Sequence, residues 1–388
     1  MRWGAGSISG DMTSTAVLAL LARHSPLSRA EIAERLELSP ATVTSITRKL
    51  IAGGLVAEGG PRVPKGGRPS IPVALVPGAA HAIGVQVARE HVTLVLARLD
   101  ASIVRGDTRK FDPEMPGALG LLEDFIRAEI DYAAAGGLPL LGVGIAVPGV
   151  VDPETGTLRM SVRLGWTGMP LAAQMREKLG LPVFVDNDIS AVTAAERLYG
   201  PGADCADFLL VAIGQGIGLG LVLDGAPYRG AVGAAGELGH VPIRPGGPVC
   251  SCGNRGCLET QVSTEALLRR ARERGIIPPD GDLDALRAAA DRGAGSARSL
   301  LGQAGSLLGR VLAGSVNLLG PRALVIIGEI TQLWPYLAAQ FDRSLSAHLI
   351  PGARDIQVDV RPWDEQLIAR GAAGIMLAAP LAAPRQRG

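Results

Sequence analysis

Aromatic residues make up only 3% of this 388-residue chain, cysteine occurs four times, and net charge is +1. No apolar run approaches the roughly 20 residues that a bilayer-crossing helix needs. So few aromatics leave Ala, Val, Leu and Ile to build the cores, within a hydrophobic share of 47%. Four cysteines, three of them crowded together, exclude the disulfide framework of small secreted domains. With neither a membrane segment nor an apolar leader, the chain reads as cytoplasmic, with no membrane partner. Its length suffices for two or three domains.

The near-zero charge hides an asymmetry. Residues 1–75 carry nine Lys and Arg against five acids, and the remainder 29 against 32. A basic head on a mildly acidic body points to a polyanionic partner for the head alone. Residues 11–76 parse as three helices and a hairpin. Thr13–Arg23 has Val17, Leu18, Leu20 and Leu21 on one stripe. Ser28 with Glu31 makes a capping box for the second helix. Ser39 caps the third, with Pro40 in the first turn. Only Glu37-Leu38-Ser39 separates the last two, as in a helix-turn-helix.

The outward side of the third helix is predicted to carry Ala41, Thr42, Thr44, Ser45, Thr47, Arg48 and Lys49, small hydroxyls and cations suited to base edges and phosphates. Gly59–Ser70 is a Gly/Pro-rich basic wing from which Arg62, Lys65 and Arg68 could reach minor groove or backbone. The plainer alternative is a three-helix protein-interaction module with a solvated charged face.

From His81 onward, short apolar strands alternate with helices, the sign of an α/β body. Ile83–Val87 with Val92–Leu99 makes a first hairpin, and Phe208–Gly214 with Gly218–Leu223 a second. Strands are also expected at Leu141–Val147 and Val183–Val185, and a helix at Ser190–Leu198. Two hairpin-led units of similar plan suggest two lobes.

Within the second unit, His240, Cys250, Cys252 and Cys257 fall inside eighteen residues. Cys3His is a standard ligand set for tetrahedral zinc, and Gly253 and Gly256 let the chain double back to bring Cys257 to the same ion. Four protein ligands leave no open position, so the expected zinc is structural. The alternative is a set of unrelated buried thiols and a surface histidine. Cys205, far from the cluster, reads as a small buried hydrophobe.

Pro148–Gly156, Asp186-Asn187-Asp188, Gly236-Glu237-Leu238-Gly239-His240 and the Cys250–Glu259 run together resemble the ROK family of bacterial sugar-responsive repressors and sugar kinases. The resemblance spans nearly the whole chain. It implies an actin/hexokinase-like two-lobed ATPase fold behind an N-terminal winged helix-turn-helix. The implied parts are a head at 11–76, a small lobe at 80–198 completed by a C-terminal helix within 364–382, and a large lobe at 199–363. Carried over by position, the sugar-binding set is Asn187, Asp188, Glu237, His240 and Glu259, with His240 also a metal ligand. Carboxylates and an amide can each take a pair of vicinal hydroxyls.

The same resemblance makes Asp188 the counterpart of the kinases' general base. The nucleotide elements depart from the kinase pattern. The kinases' Asp-x-Gly-x-Thr phosphate loop is replaced by Gln86-Val87-Ala88-Arg89-Glu90, which lacks the first carboxylate and places an acid near the phosphates. Gln215 stands where the kinases usually have Thr, and Glu329 where they tend to keep Gly. ATP use is therefore not expected, because phosphoryl transfer rests on positioning and charge stabilisation. Arg163 stands where family members often have Asn; it is either a surface residue or a sign of an acidic ligand. The implied protein is a regulator, most simply a repressor, binding operator DNA as a homodimer or dimer of dimers and a carbohydrate effector. An active sugar kinase with a DNA-binding head is the competing reading, and a zinc-dependent scaffold a third.

Overall fold

The computed structural model describes residues 9–60, 70–200, 202, 205–362 and 364–378. The chain divides into two compact units, Met1–Ala203 with Gln366–Gly388, and Asp204–Glu365.

The first unit opens with α1 (Ser9–His24), α2 (Arg29–Arg35) and α3 (Pro40–Ala52), then the strands β1 (Val56–Glu58) and β2 (Val73–Leu75). The capping expectations hold in detail. Ser28 Oγ accepts from the Glu31 backbone while the Glu31 carboxylate accepts from Ser28 N, and Ser39 Oγ accepts from Thr42 N. β1 and β2 pair antiparallel, and Leu27 adds a bridge to Val73. Arg29 ties these parts together: its Nε donates to Thr47 Oγ1 at 3.0 Å and its Nη2 to Glu58 at 2.6 Å.

Behind the head lies a five-stranded sheet ordered β10-β6-β3-β4-β5. Its strands are β3 (His81–Val87), β4 (His91–Arg98), β5 (Ile103–Lys110), β6 (Leu140–Val147) and β10 (Val183–Asn187). β3, β4 and β5 form an antiparallel meander, and β6 and β10 add in parallel. β5 lacks the apolar run that marks the other strands because it is an edge strand rich in charge, with Arg105, Asp107, Arg109 and Lys110. A small sheet of β7 (Val150–Val151), β8 (Leu158–Ser161) and β9 (Trp166–Met169) sits between β6 and β10 in sequence. The helices of this unit are α4 (Ala118–Ala135), α5 (Leu171–Leu179), α6 (Asp188–Tyr199) and the last helix of the chain, α12 (Leu367–Ala378).

α12 lies directly on the sheet. A Cβ on Gly84 would overlap the Ala369 carbonyl, and one on Gly144 the Ala372 carbonyl, so only glycine permits this approach. One apolar cluster then runs from the head into this layer. Val17, Leu20 and Leu21 of α1 share it with Val95 and Ala97 of β4 and with Ala369, Ala373 and Met376 of α12.

The second unit repeats the plan with the order β13-β12-β11-β14-β15. β11 (Phe208–Ile213) and β12 (Ile217–Leu223) form a hairpin extended by β13 (Ala226–Pro227), and β14 (Ala323–Ile327) and β15 (Gln357–Val360) run parallel to β11. Its helices are α7 (Glu259–Val262), α8 (Thr264–Glu273), α9 (Leu283–Asp291), α10 (Gly295–Leu319) and α11 (Trp334–His348). The aliphatic faces of α10 and α11 close over the sheet as one core with Leu209, Val211 and Ile326. Among the described residues no helix is long and apolar enough to cross a membrane.

Candidate functional site

In the head, Ala41, Thr42, Thr44, Ser45, Arg48 and Lys49 are all exposed on α3, on the side away from buried Val43, Ile46 and Leu50. Thr47 corrects the expectation: it is fully buried, donates to the Val43 carbonyl at 2.8 Å and accepts from Arg29. Two exposed hydroxyls have local partners, Thr44 with the Pro40 carbonyl and Thr42 with Ser39. Arg62, Lys65 and Arg68 lie outside the described residues.

In the second unit, residues 240–257 fold so that the ligand atoms of His240, Cys250, Cys252 and Cys257 all lie within 4.8 Å of one another. Cys250 Sγ stands 3.4 Å from His240 Nδ1, and Cys252 Sγ 3.8 Å from Cys257 Sγ. Ligands about 2.1–2.3 Å from a tetrahedral zinc stand roughly 3.6–3.8 Å apart, so the four residues have the spacing to hold such an ion. The loop closes through the bridges Pro242–Cys257 and Val249–Arg255. At Gly256, where φ is +69°, any side chain would overlap the Arg244 carbonyl. Burial pushes the Cys257 thiol up to about 12, whereas the Asn254 backbone N–H draws Cys252 down. Cys205 is only partly buried and lies outside this cluster.

With Nδ1 facing the thiols, His240 turns Nε2 to Glu237 Oε2, 3.7 Å away. Glu237 precedes the 3-10 turn Leu238–His240 and is 46% exposed. Burial raises its carboxyl pKa, His240 pulls it down and Glu259 pushes it up. Solvent screens the effect at that exposure, yet it places Glu237, His240 and Glu259 within one another's field. Glu259 opens α7, two residues past Cys257, and its Oε2 accepts from Ile217 N at 3.1 Å. That link to the β11–β12 hairpin carried no sequence signal, because a backbone donor leaves none.

In the first unit, Asn187 ends β10 and caps α6: its Oδ1 accepts from Ile189 N and Ser190 N, and its Nδ2 donates to the Gly149 carbonyl at 3.0 Å. The helix therefore begins at Asp188, two residues ahead of the expected Ser190. Asp188 occupies its first turn, where the helix dipole favours a carboxylate. Arg163 is half-buried in the turn between β8 and β9.

The segments aligned with nucleotide loops are tight hairpin turns. Ala88, Arg89 and Glu90 join β3 to β4, with Ala88 N donating to the His91 carbonyl. Gly214–Gly216 join β11 to β12, and a methyl on Gly214 would lie 3.6 Å from the Glu329 carboxylate, which also accepts from Thr264 Oγ1 at 2.8 Å.

Comparison with known proteins bears on both parts. Residues 82–379 match the ROK family and residues 11–57 the MarR family. The Escherichia coli K12 DNA-binding transcriptional dual regulator NagC is 32% identical over 329 residues, 83% of this chain and 81% of that protein. The Bacillus subtilis 168 xylose repressor is 29% identical over 328 residues, 84% of each chain. The crystal structure of a ROK family transcriptional regulator, a homolog of the E. coli MLC protein, superposes with TM-score 0.81 at 28% identity, covering 96% of this chain and 97% of that one. A ROK family glucokinase from Streptomyces griseus, solved with glucose and AMPPNP, gives TM-score 0.66 at 26% identity over 76% of this chain and 98% of its own. The chain thus belongs to the ROK family, with the actin/hexokinase-like fold of its repressors and sugar kinases behind a winged-helix head of the MarR type.

Proposed function

We propose that this chain is a sugar-responsive transcriptional repressor whose kinase-like body binds a carbohydrate effector without phosphorylating it. The observation that carries the reading is the two-sided His240, with one ring nitrogen toward three thiols and the other toward Glu237, in a chain that also bears an exposed, hydroxyl-rich third helix. Relatives named as N-acetylglucosamine and xylose repressors support it.

In this reading Asn187, Asp188, Glu237, His240 and Glu259 contact the sugar, and His240, Cys250, Cys252 and Cys257 hold a structural zinc. Closed around the ion, these four ligands fix the loop that carries Glu237 and Glu259, so the metal orients the groups that hold the sugar. Asn187, occupied in capping, acts chiefly by aiming Asp188. The head binds operator DNA as a homodimer, each α3 reading one half-site.

Loss of kinase chemistry is supported by local charge. Gln86 replaces the loop carboxylate, Glu90 is exposed on the β3–β4 turn, and the Glu329 carboxylate lies against Gly214. Phosphoryl oxygens approaching either turn would meet a carboxylate.

Fluorescence anisotropy on operator DNA tests the reading. The cognate sugar should release the protein, Asp188→Ala should bind DNA but ignore the sugar, and a coupled assay should record no sugar-dependent ATP turnover. Sustained turnover would instead make the chain a kinase. A comparison of neutral and acidic sugars in wild type and Arg163→Ala decides whether Arg163 selects an acidic ligand; equal acidic-sugar affinity in both gives it no such role.

A further inference from the structure

Three arginines converge on the C-terminal end of α7, a fourth stands one turn beyond Arg270 along α8, and sugar sensing gives them no role. Arg269 and Arg270 lie on α8, Arg274 caps its end, and Arg244 comes from the loop leading to the thiol cluster. Arg270 Nη1 donates to the Gln261 carbonyl at 2.9 Å, and Arg244 Nη1 reaches Gln261 Oε1 at 3.4 Å. Arg269 Nη2 donates to the Thr260 carbonyl at 3.1 Å. Three guanidinium groups thus converge on two consecutive residues, and every one of these partners is a neutral oxygen.

Among the described residues, the carboxylate that meets the group is Glu273, 3.8 Å from Arg269 and itself 64% exposed. The crowding is electrostatically adverse. Burial lowers the pKa of Arg270 first, Arg274, Arg244 and Arg269 lower it further, and Glu273 opposes them. Satisfying the last carbonyls of α7 accounts for Arg269 and Arg270, but a neutral donor would serve that purpose. It does not account for Arg274, whose side chain has no hydrogen bond or ion pair among the described residues. Each guanidinium has five N–H donors, so most of those in the cluster remain available.

We propose that Arg244, Arg269, Arg270 and Arg274 form a binding site for a compact, multiply charged phosphate group, inorganic or carried by a small molecule. Guanidinium forks match paired phosphate oxygens, and an anion here replaces mutual repulsion with charge-assisted hydrogen bonds. Convergence on one short helix end, rather than along a stripe, suits a compact anion better than an extended acidic chain. The site lies one relay from the thiols, since Gln261 Nε2 donates to Thr260 Oγ1 and that hydroxyl donates to the Cys257 carbonyl.

Calorimetric titration of the full chain at low salt, with inorganic pyrophosphate as the probe, tests this. Saturable binding is expected, weakened roughly tenfold or more in Arg244→Gln/Arg274→Gln, since a single charge-assisted hydrogen bond is worth about a factor of ten in affinity. Glu273→Gln, which removes only the opposing charge, should tighten binding. A parallel titration with a hexose 6-phosphate separates the sources: sensitivity to the double variant points to a phosphate carried on a sugar, insensitivity to the inorganic ion. Absence of pyrophosphate binding in the wild type, or one affinity across all three proteins, overturns the proposal.

Discussion

Glu129, on α4, is 2% exposed and faces Arg105 at 3.3 Å and Arg109 at 3.4 Å. Burial raises its pKa above the usual 4.5, and the two arginines only partly offset this. The folded protein therefore holds the Glu129 proton to higher pH than the unfolded chain, and stability falls as pH rises through that interval. Glu129→Gln removes the titration. Its melting temperature should exceed or equal that of the wild type at pH 7, and its advantage should shrink as pH falls toward 4.5, as calorimetry would show. At this scale the sequence was partly legible. The clustered His and Cys and the exposed face of α3 were readable because their chemistry resides in residue type and spacing. The burial of Thr47 was not, because the pattern of hydroxyls does not reveal that Arg29 reaches across to cover one of them.

At the scale of elements, α3 depends on its cap. Ser39→Ala removes the acceptor for Thr42 N and should cost about 1 kcal/mol by denaturant titration. Fraying the first turn should also weaken operator affinity, because Ala41 and Thr42 lie there and Thr44 hydrogen-bonds back to its Pro40 carbonyl. The seating of α12 depends on missing side chains. Gly84→Val would drive a branched side chain into the Ala369 carbonyl and Ala373, and is expected to cost about 3 kcal/mol, the upper range for overpacking. A comparison with Gly78→Val, at an exposed position outside the left-handed region with nothing within 4 Å of the added Cβ, separates crowding from general glycine loss. Caps and buried strands were legible because they follow from local propensity and apolar runs. Edge strand β5 and the 25-residue α10 were not, since one is charged and the other is recognisable only from the layer it covers.

For the whole molecule, the cluster shared by α1, β4 and α12 means that the head does not hang on a free linker within the first unit. Hydrogen exchange should therefore protect the buried amides of α1 and of β4 to similar free energies. Chelation provides the complementary test. If zinc sits among His240, Cys250, Cys252 and Cys257, removing it should abolish the sugar response while operator binding by the head survives, as anisotropy before and after metal depletion would record. Loss of DNA binding at the same chelator concentration would show that the loop supports the whole fold instead.

By itself the sequence determined the presence of a winged basic head, a two-part α/β body, a Cys3His cluster and the two short turns that lead its hairpins. Each of these resides in residue identity at short range, where spacing and chemistry act without knowledge of distant contacts. Tertiary structure alone decided that Asn187 Nδ2 is held by the Gly149 carbonyl, that Glu259 is tied to Ile217, and that α1 shares a core with α12. It also gathered Arg244 with three arginines of a distant helix. These pairings join residues far apart in the chain through backbone donors, close packing and electrostatic fields, none of which leaves a periodic mark in the order of residues.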